Sequence, residues 1–82
     1  MQEEDKVLLK LFGHHVKKIR ELKFKSLNDF ALNHSLLSSA TISRIENAKN
    51  DFKFTTFIKL ANAMNITPSE LLNKFNYKYS DS

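Results

Sequence analysis

The chemistry this chain could do is concentrated in residues 38–47, Ser-Ser-Ala-Thr-Ile-Ser-Arg-Ile-Glu-Asn. Ile42 and Ile45 stand three apart and share one side of a short helix. Ser39, Ala40, Ser43 and Arg44 then fall on the opposite side. Small serine and alanine side chains let a helix approach another surface closely. The arginine fork can grip a guanine edge or a phosphate. A helix built this way fits the major groove of DNA. An ordinary amphipathic helix with a solvated outer face has the same pattern.

Other chemistries find little support. His14 and His15 are neighbours, so on a helix they point about 100° apart and do not readily share one metal. His34 is distant and there is no cysteine, which leaves no credible zinc set and no disulfide framework. No nucleophile stands in a pattern with a base, so the chain does not read as an enzyme. A bundle this small leaves little room for a ligand pocket of ~300 Å³. Neither a cofactor nor a small-molecule ligand is expected.

The chain has 82 residues, 41% of them hydrophobic, enough for one small domain with one core. Thirteen basic residues against nine acidic give a net charge of +4 and a pI near 9.5. That balance suits a polyanionic partner without distinguishing DNA from RNA or an acidic protein. No apolar run approaches the ~20 residues of a membrane span. The acidic opening Glu3-Glu4-Asp5 is unlike a signal peptide. A cytoplasmic location is expected by default, with the DNA-bound fraction on the nucleoid. Glycine and proline occur once each, which favours helices joined by short polar turns.

Five helices follow from periodicity and caps. The first runs from about Glu3 to Lys23, with acids at its start and lysines at its end. Leu8, Phe12, Val16 and Ile19 form its stripe. Gly13 inside it costs roughly 1 kcal/mol against alanine, which implies close approach of another helix. Ser26 caps a short second helix ending near Asn33 or His34, with Leu27, Phe30 and Ala31 inward. Leu36 or Leu37 plugs the core, and Ser38 caps the third helix. Asn47 ends it, and Phe52 and Phe54 are expected to anchor the following loop. A fourth helix spans about Thr55 to Met64. Thr67-Pro68-Ser69-Glu70 is a capping box with proline at the first helical position, and Leu71, Leu72 and Phe75 are expected to pack the fifth helix down. Residues after Asn76 read as a frayed tail, or, with Tyr77 and Tyr79, the fifth helix and the residues just before it, as the surface of a dimer. The organisation is one all-α domain over 1–82, with its core in about 6–75.

From about Phe12 to Phe75 the chain resembles the Cro and phage-repressor helix-turn-helix superfamily, the XRE family. Phe12-Gly13 with Val16, Ile19 and Arg20 is similar to that family's first helix, and Leu27-Asn28-Asp29-Phe30-Ala31 to its second. Thr41-Ile42-Ser43-Arg44-Ile45-Glu46-Asn47 is close to its frequent recognition-helix ending. Phe54 through Ile66, then Thr67 to Leu72, fit its fourth and fifth helices. The resemblance implies a compact five-helix lambda-repressor-like domain with the helix-turn-helix at about 27–47.

The resemblance also implies roles. Arg20 and Glu46 occupy positions that form a structural ion pair, which sets aside Glu46 as a catalytic acid. Ser39, Ala40, Ser43 and Arg44 match positions that read base edges. Ser38, Asn47, Lys49 and Lys53 fall near positions that hold the DNA backbone. Four departures stand out. Leu27 replaces a usual glutamine, Ser35 a frequent glycine, and Ala48 a usual glycine. The interval from Ala31 to Ile42 is one residue longer than is common. Ala48 throws the left-handed role onto Asn47 or bears the strain itself.

The expected function is sequence-specific binding of double-stranded DNA by a homodimeric transcriptional regulator, similar to phage repressors or the controller proteins of restriction-modification systems. The alternatives are a DNA-binding antitoxin and a protein-interaction module that has lost DNA binding. The abundance of Lys, Asn, Ile and Phe points to an AT-rich bacterial or phage genome.

Overall fold

The computed structural model describes residues 2–24 and 37–80. Among these residues the secondary structure is all-helical: α1 (Glu3–Lys23), α2 (Ser39–Glu46), α3 (Phe54–Ala63) and α4 (Pro68–Leu71). The expected second helix with Leu27, and the turn with Ser35 that follows it, lie outside the described residues. The expected third, fourth and fifth helices are α2, α3 and α4.

Local chemistry explains each boundary. Glu3, Glu4 and Asp5 occupy the first turn of α1, and Arg20 and Lys23 the last, both in the sense that the helix dipole favours. The helix stops at Phe24, whose extended backbone still donates its N–H to Arg20 O at 2.8 Å. Thr67 and Glu70 complete a reciprocal capping box at α4: Thr67 N–H donates to Glu70 Oε1 at 2.8 Å and Glu70 N–H to Thr67 Oγ1 at 3.0 Å. These bonds hold the Glu70 carboxyl below the usual carboxylate range. At the end of α3, Asn65 takes a positive φ of 59°. Its N–H donates to Asn62 O, and that of Ile66 to Ala61 O, which closes a Schellman motif on a residue that tolerates it.

The core gathers Phe12 and Val16 of α1, Ile42 and Ile45 of α2, Leu60, Ala61 and Met64 at α3, and Leu71 of α4. Phe12 is its aromatic hub, with ring centroids 5.5 Å from Phe75, 5.7 Å from Phe52 and 6.0 Å from Phe57. Half-buried His15 ties α1 to α4 by donating from Nε2 to Leu71 O at 2.7 Å.

Several expectations require correction. Phe52 does anchor its loop on Phe12, but Phe54 is 75% exposed. The helix begins at Phe54, one residue earlier than expected, and this turns the ring outward against Phe57. Leu72 stays 44% exposed because α4 ends at Leu71; Phe75 packs against the core instead, after Lys74 reverses the chain at φ 65°. The tail is not frayed through Ser80. Tyr77 Oη donates to Glu4, Tyr79 Oη donates to Asp5, and Ser80 donates its N–H and hydroxyl to the Glu4 carboxylate. The Tyr77 and Tyr79 rings meet edge to face. The Ser80 bonds lower the Glu4 carboxyl from its ordinary value. The bond to Asp5 pushes the Tyr79 phenol up to about 12.

Candidate nucleic-acid interface

The outward face of α2 depends on how firmly its inward face is held. Ile42 and Ile45 are buried in the core, and each contributes roughly 1.5–3 kcal/mol by leaving water. Ser38 Oγ accepts the Thr41 N–H at 3.1 Å and fixes the first turn. The far end is held by α1. Gly13 lies where a Cβ would come within 2.5 Å of Ile45 O and 2.7 Å of Glu46 O, so the two helices meet backbone to backbone.

That approach brings Arg20 onto Glu46. Nε donates to Oε2 at 2.6 Å and Nη2 to Oε1 at 3.0 Å, a bidentate pair whose side chains are 7% and 5% exposed. The hydrogen bonds to Glu46 outweigh burial and raise the Arg20 guanidinium above its ordinary pKa. Both carboxylate oxygens are occupied, so Glu46 acts as a structural brace.

With its base fixed, α2 leaves Ala40 and Arg44 exposed and Ser39 and Ser43 half-buried. The Arg44 side chain has no hydrogen bond or ion pair among the described residues. It lines a polar groove of about 500 Å³ with Lys53 and Lys59. Lys59 was not singled out by sequence, because its place beside Arg44 depends on how α3 crosses α2. Asp51 also borders this groove, where its carboxylate accepts the Phe52 N–H at 2.8 Å. Ser38, Asn47 and Lys49 are exposed but lie outside the groove. The Asn47 amide is turned back on α2, donating to Ser43 O at 2.8 Å.

The exit from α2 settles the choice between Asn47 and Ala48. Asn47 has φ −100° and caps the helix, whereas Ala48 carries φ 53°. Ala48 N–H donates to Ile45 O and Lys49 N–H to Arg44 O, the two bonds of a Schellman motif. Its αL position needs glycine or asparagine, and an L-alanine there is strained by roughly 1–2 kcal/mol. Glycine is freer in the unfolded chain, which offsets part of the relief. Ala48→Gly is therefore expected to stabilise the fold by about 0.5–1 kcal/mol, seen as a rise of several degrees in thermal unfolding. An unchanged or lower midpoint would mean that the motif carries no strain.

No described helix is long and apolar enough to cross a membrane. No curated protein sequence matches the chain significantly. The helix-turn-helix family HTH_3 matches residues 16–71, which takes in Arg20 and all of α2, α3 and α4. Among solved structures, the fold is similar to the restriction-modification controller protein C.AhdI from Aeromonas hydrophila. The two are 28% identical, the match covers 77% of this chain and 94% of that one, and the TM-score is 0.66. The chain belongs to the XRE-type helix-turn-helix family of DNA-binding transcription regulators.

Proposed function

We propose that this regulator binds double-stranded DNA sequence-specifically as a homodimer, with α2 in the major groove and a controller-type role at DNA upstream of its own gene. The observation that carries the reading is the state of α2. Its inner side is held by Ile42, Ile45 and the Arg20–Glu46 pair, while Arg44 stands exposed with its guanidinium unengaged. Arg44 grips a guanine, Ala40 lies against a thymine methyl, and Ser39 and Ser43 contact neighbouring base edges. Ser38, Asn47, Lys49 and Lys53 hold the backbone and set the register. The similarity to a restriction-modification controller supports the regulatory class.

Dimerisation follows from size, since one recognition helix buries too little surface to be both tight and specific. An apolar groove of about 250 Å³ is lined by Leu8, Phe52, Phe57, exposed Leu72 and Phe75, and exposed Phe54 stacks on Phe57 beside it. This side, around the start of α3 and the end of α4, supports pairing there. Two copies related by a twofold axis would read half-sites roughly 34 Å apart.

The test is a fluorescence-anisotropy titration of wild type and Arg44→Ala against the upstream DNA and a scrambled duplex. Wild type is expected to prefer the upstream DNA, and Arg44→Ala to lose about 1–3 kcal/mol of that preference. Equal weak binding of both proteins to both duplexes, followed by failure to select a site from random DNA, would end this reading.

A further inference from the structure

The contact that seats α1 on the end of α2 has a second consequence. Lys10, His14 and Lys17 follow one another at intervals of four and three, so they project from one edge of α1. Gly13 lies inside this run, and its bare backbone lets that edge come alongside the C-terminal end of α2. Lys10, His14 and Lys17 line a surface groove of about 400 Å³ together with Leu11, Glu46 and Asn47. None of the three basic side chains has a hydrogen bond or ion pair among the described residues. Glu46 does not oppose an anion there, because both of its oxygens are taken by Arg20.

We infer that Lys10, His14 and Lys17 form a second phosphodiester-binding track, which extends the DNA contact of α2 past Asn47 along the outer edge of α1. The inference rests on the DNA-binding reading above, in which Asn47 meets the backbone. The end of α2 is the negative pole of its dipole, so a phosphate near Asn47 needs side-chain cations, and Lys10 and Lys17 supply them. Lys10 and Lys17 stand two turns apart, about 10 Å, so each can hold its own phosphate. The contacts carry no base information; they add affinity and salt dependence equally on every sequence.

The experiment compares wild type, Lys10→Gln/Lys17→Gln and Lys18→Gln/Lys74→Gln. The last variant removes the same charge from a different groove, between α1 and the end of α4. Binding to a selected operator duplex and to a scrambled duplex is titrated across a series of salt concentrations. The Lys10/Lys17 variant is expected to show a salt slope shallower by about 2, from two lost contacts at ~0.9 each. Affinity should fall on the order of tenfold on both duplexes at ~0.1 M salt, with their ratio kept. The Lys18/Lys74 variant should keep the wild-type slope. An unchanged slope in the Lys10/Lys17 variant, or an equal change in both variants, would overturn the track. A lower unfolding midpoint with an unchanged slope would also overturn it, since it would show that the row only balances the α2 dipole. Failure of wild type to discriminate the duplexes would instead count against the Arg44 reading, and the slope comparison on scrambled duplex would still decide the track.

Discussion

Replacing Glu46 with alanine is expected to cost about 3–5 kcal/mol of folding stability, because it leaves the Arg20 guanidinium buried without a counter-charge. Arg20 is only 6% exposed and is held at both Nε and Nη2 by the one carboxylate. Domains of this size have roughly 5–15 kcal/mol in total, so the loss removes a large share. The pair itself contributes much less than that loss, since burying two charges offsets most of their attraction. The two statements separate when three variants are compared with wild type. Glu46→Ala and Arg20→Ala should each be strongly destabilising, while Arg20→Met with Glu46→Leu should recover most of the stability. Urea denaturation followed by circular dichroism measures all four proteins. A Glu46→Ala loss below ~1 kcal/mol would mean that solvent reaches Arg20 and that the pair behaves as a surface salt bridge. The double apolar variant has a second use. It keeps α1 against α2 without charge, so retained DNA binding would confine the pair's role to holding α2 in place.

Where local chemistry decided the outcome, the sequence was readable. The acidic start and the three-and-four stripe of α1 gave its span, Glu3–Lys23. The Ser38 cap and the Thr67–Glu70 box are contacts between residues three apart, and they form as expected. Glycine in mid-helix pointed to a close neighbour, although only the fold shows that this is the carbonyl end of α2. Harder features needed distance information. Phe52 and Phe54 have identical side chains, and which one enters the core depends on the residue at which α3 starts. Ala48 and Asn47 could each have taken the left-handed turn. The asparagine caps Ser43 O with its amide, and the strain falls one residue later. Tyr77 and Tyr79 find their acceptors more than seventy residues away in sequence, at Glu4 and Asp5, and no periodicity reports that. The candidate interface divides in the same way. The α2 face of Ser39, Ala40, Ser43 and Arg44 is legible from three-residue spacing. Lys59 beside Arg44 and Lys10 and Lys17 beside Asn47 become visible only once helices are placed against one another.

Gly13→Ala tests that placement most directly, because two effects of opposite sign compete. Helix propensity alone favours alanine by about 1 kcal/mol in the middle of α1. Against it, the new Cβ would lie 2.5 Å from Ile45 O, 2.7 Å from Glu46 O and 3.0 Å from the Glu46 carbonyl carbon. All three are backbone atoms, so no side-chain rotation relieves the overlap. Either α1 and α2 separate, or the last turn of α2 distorts. Separation lengthens the Arg20–Glu46 bonds and opens the core at Val16, Ile42 and Ile45, all of them nearly or fully buried. Distortion disturbs the Ala48 N–H bond to Ile45 O and the already strained turn beyond it. Overpacking of this kind costs about 1–3 kcal/mol or more, and the lost ion-pair geometry adds to it. The expected net is a destabilisation of about 2 kcal/mol, read as a fall of roughly 8–16 °C in the unfolding midpoint. DNA binding should weaken further than unfolding explains when measured well below that midpoint, because α2 no longer sits square to the domain. A rise in the midpoint would show that propensity wins, and that the helices have room between them which their backbone contact does not allow.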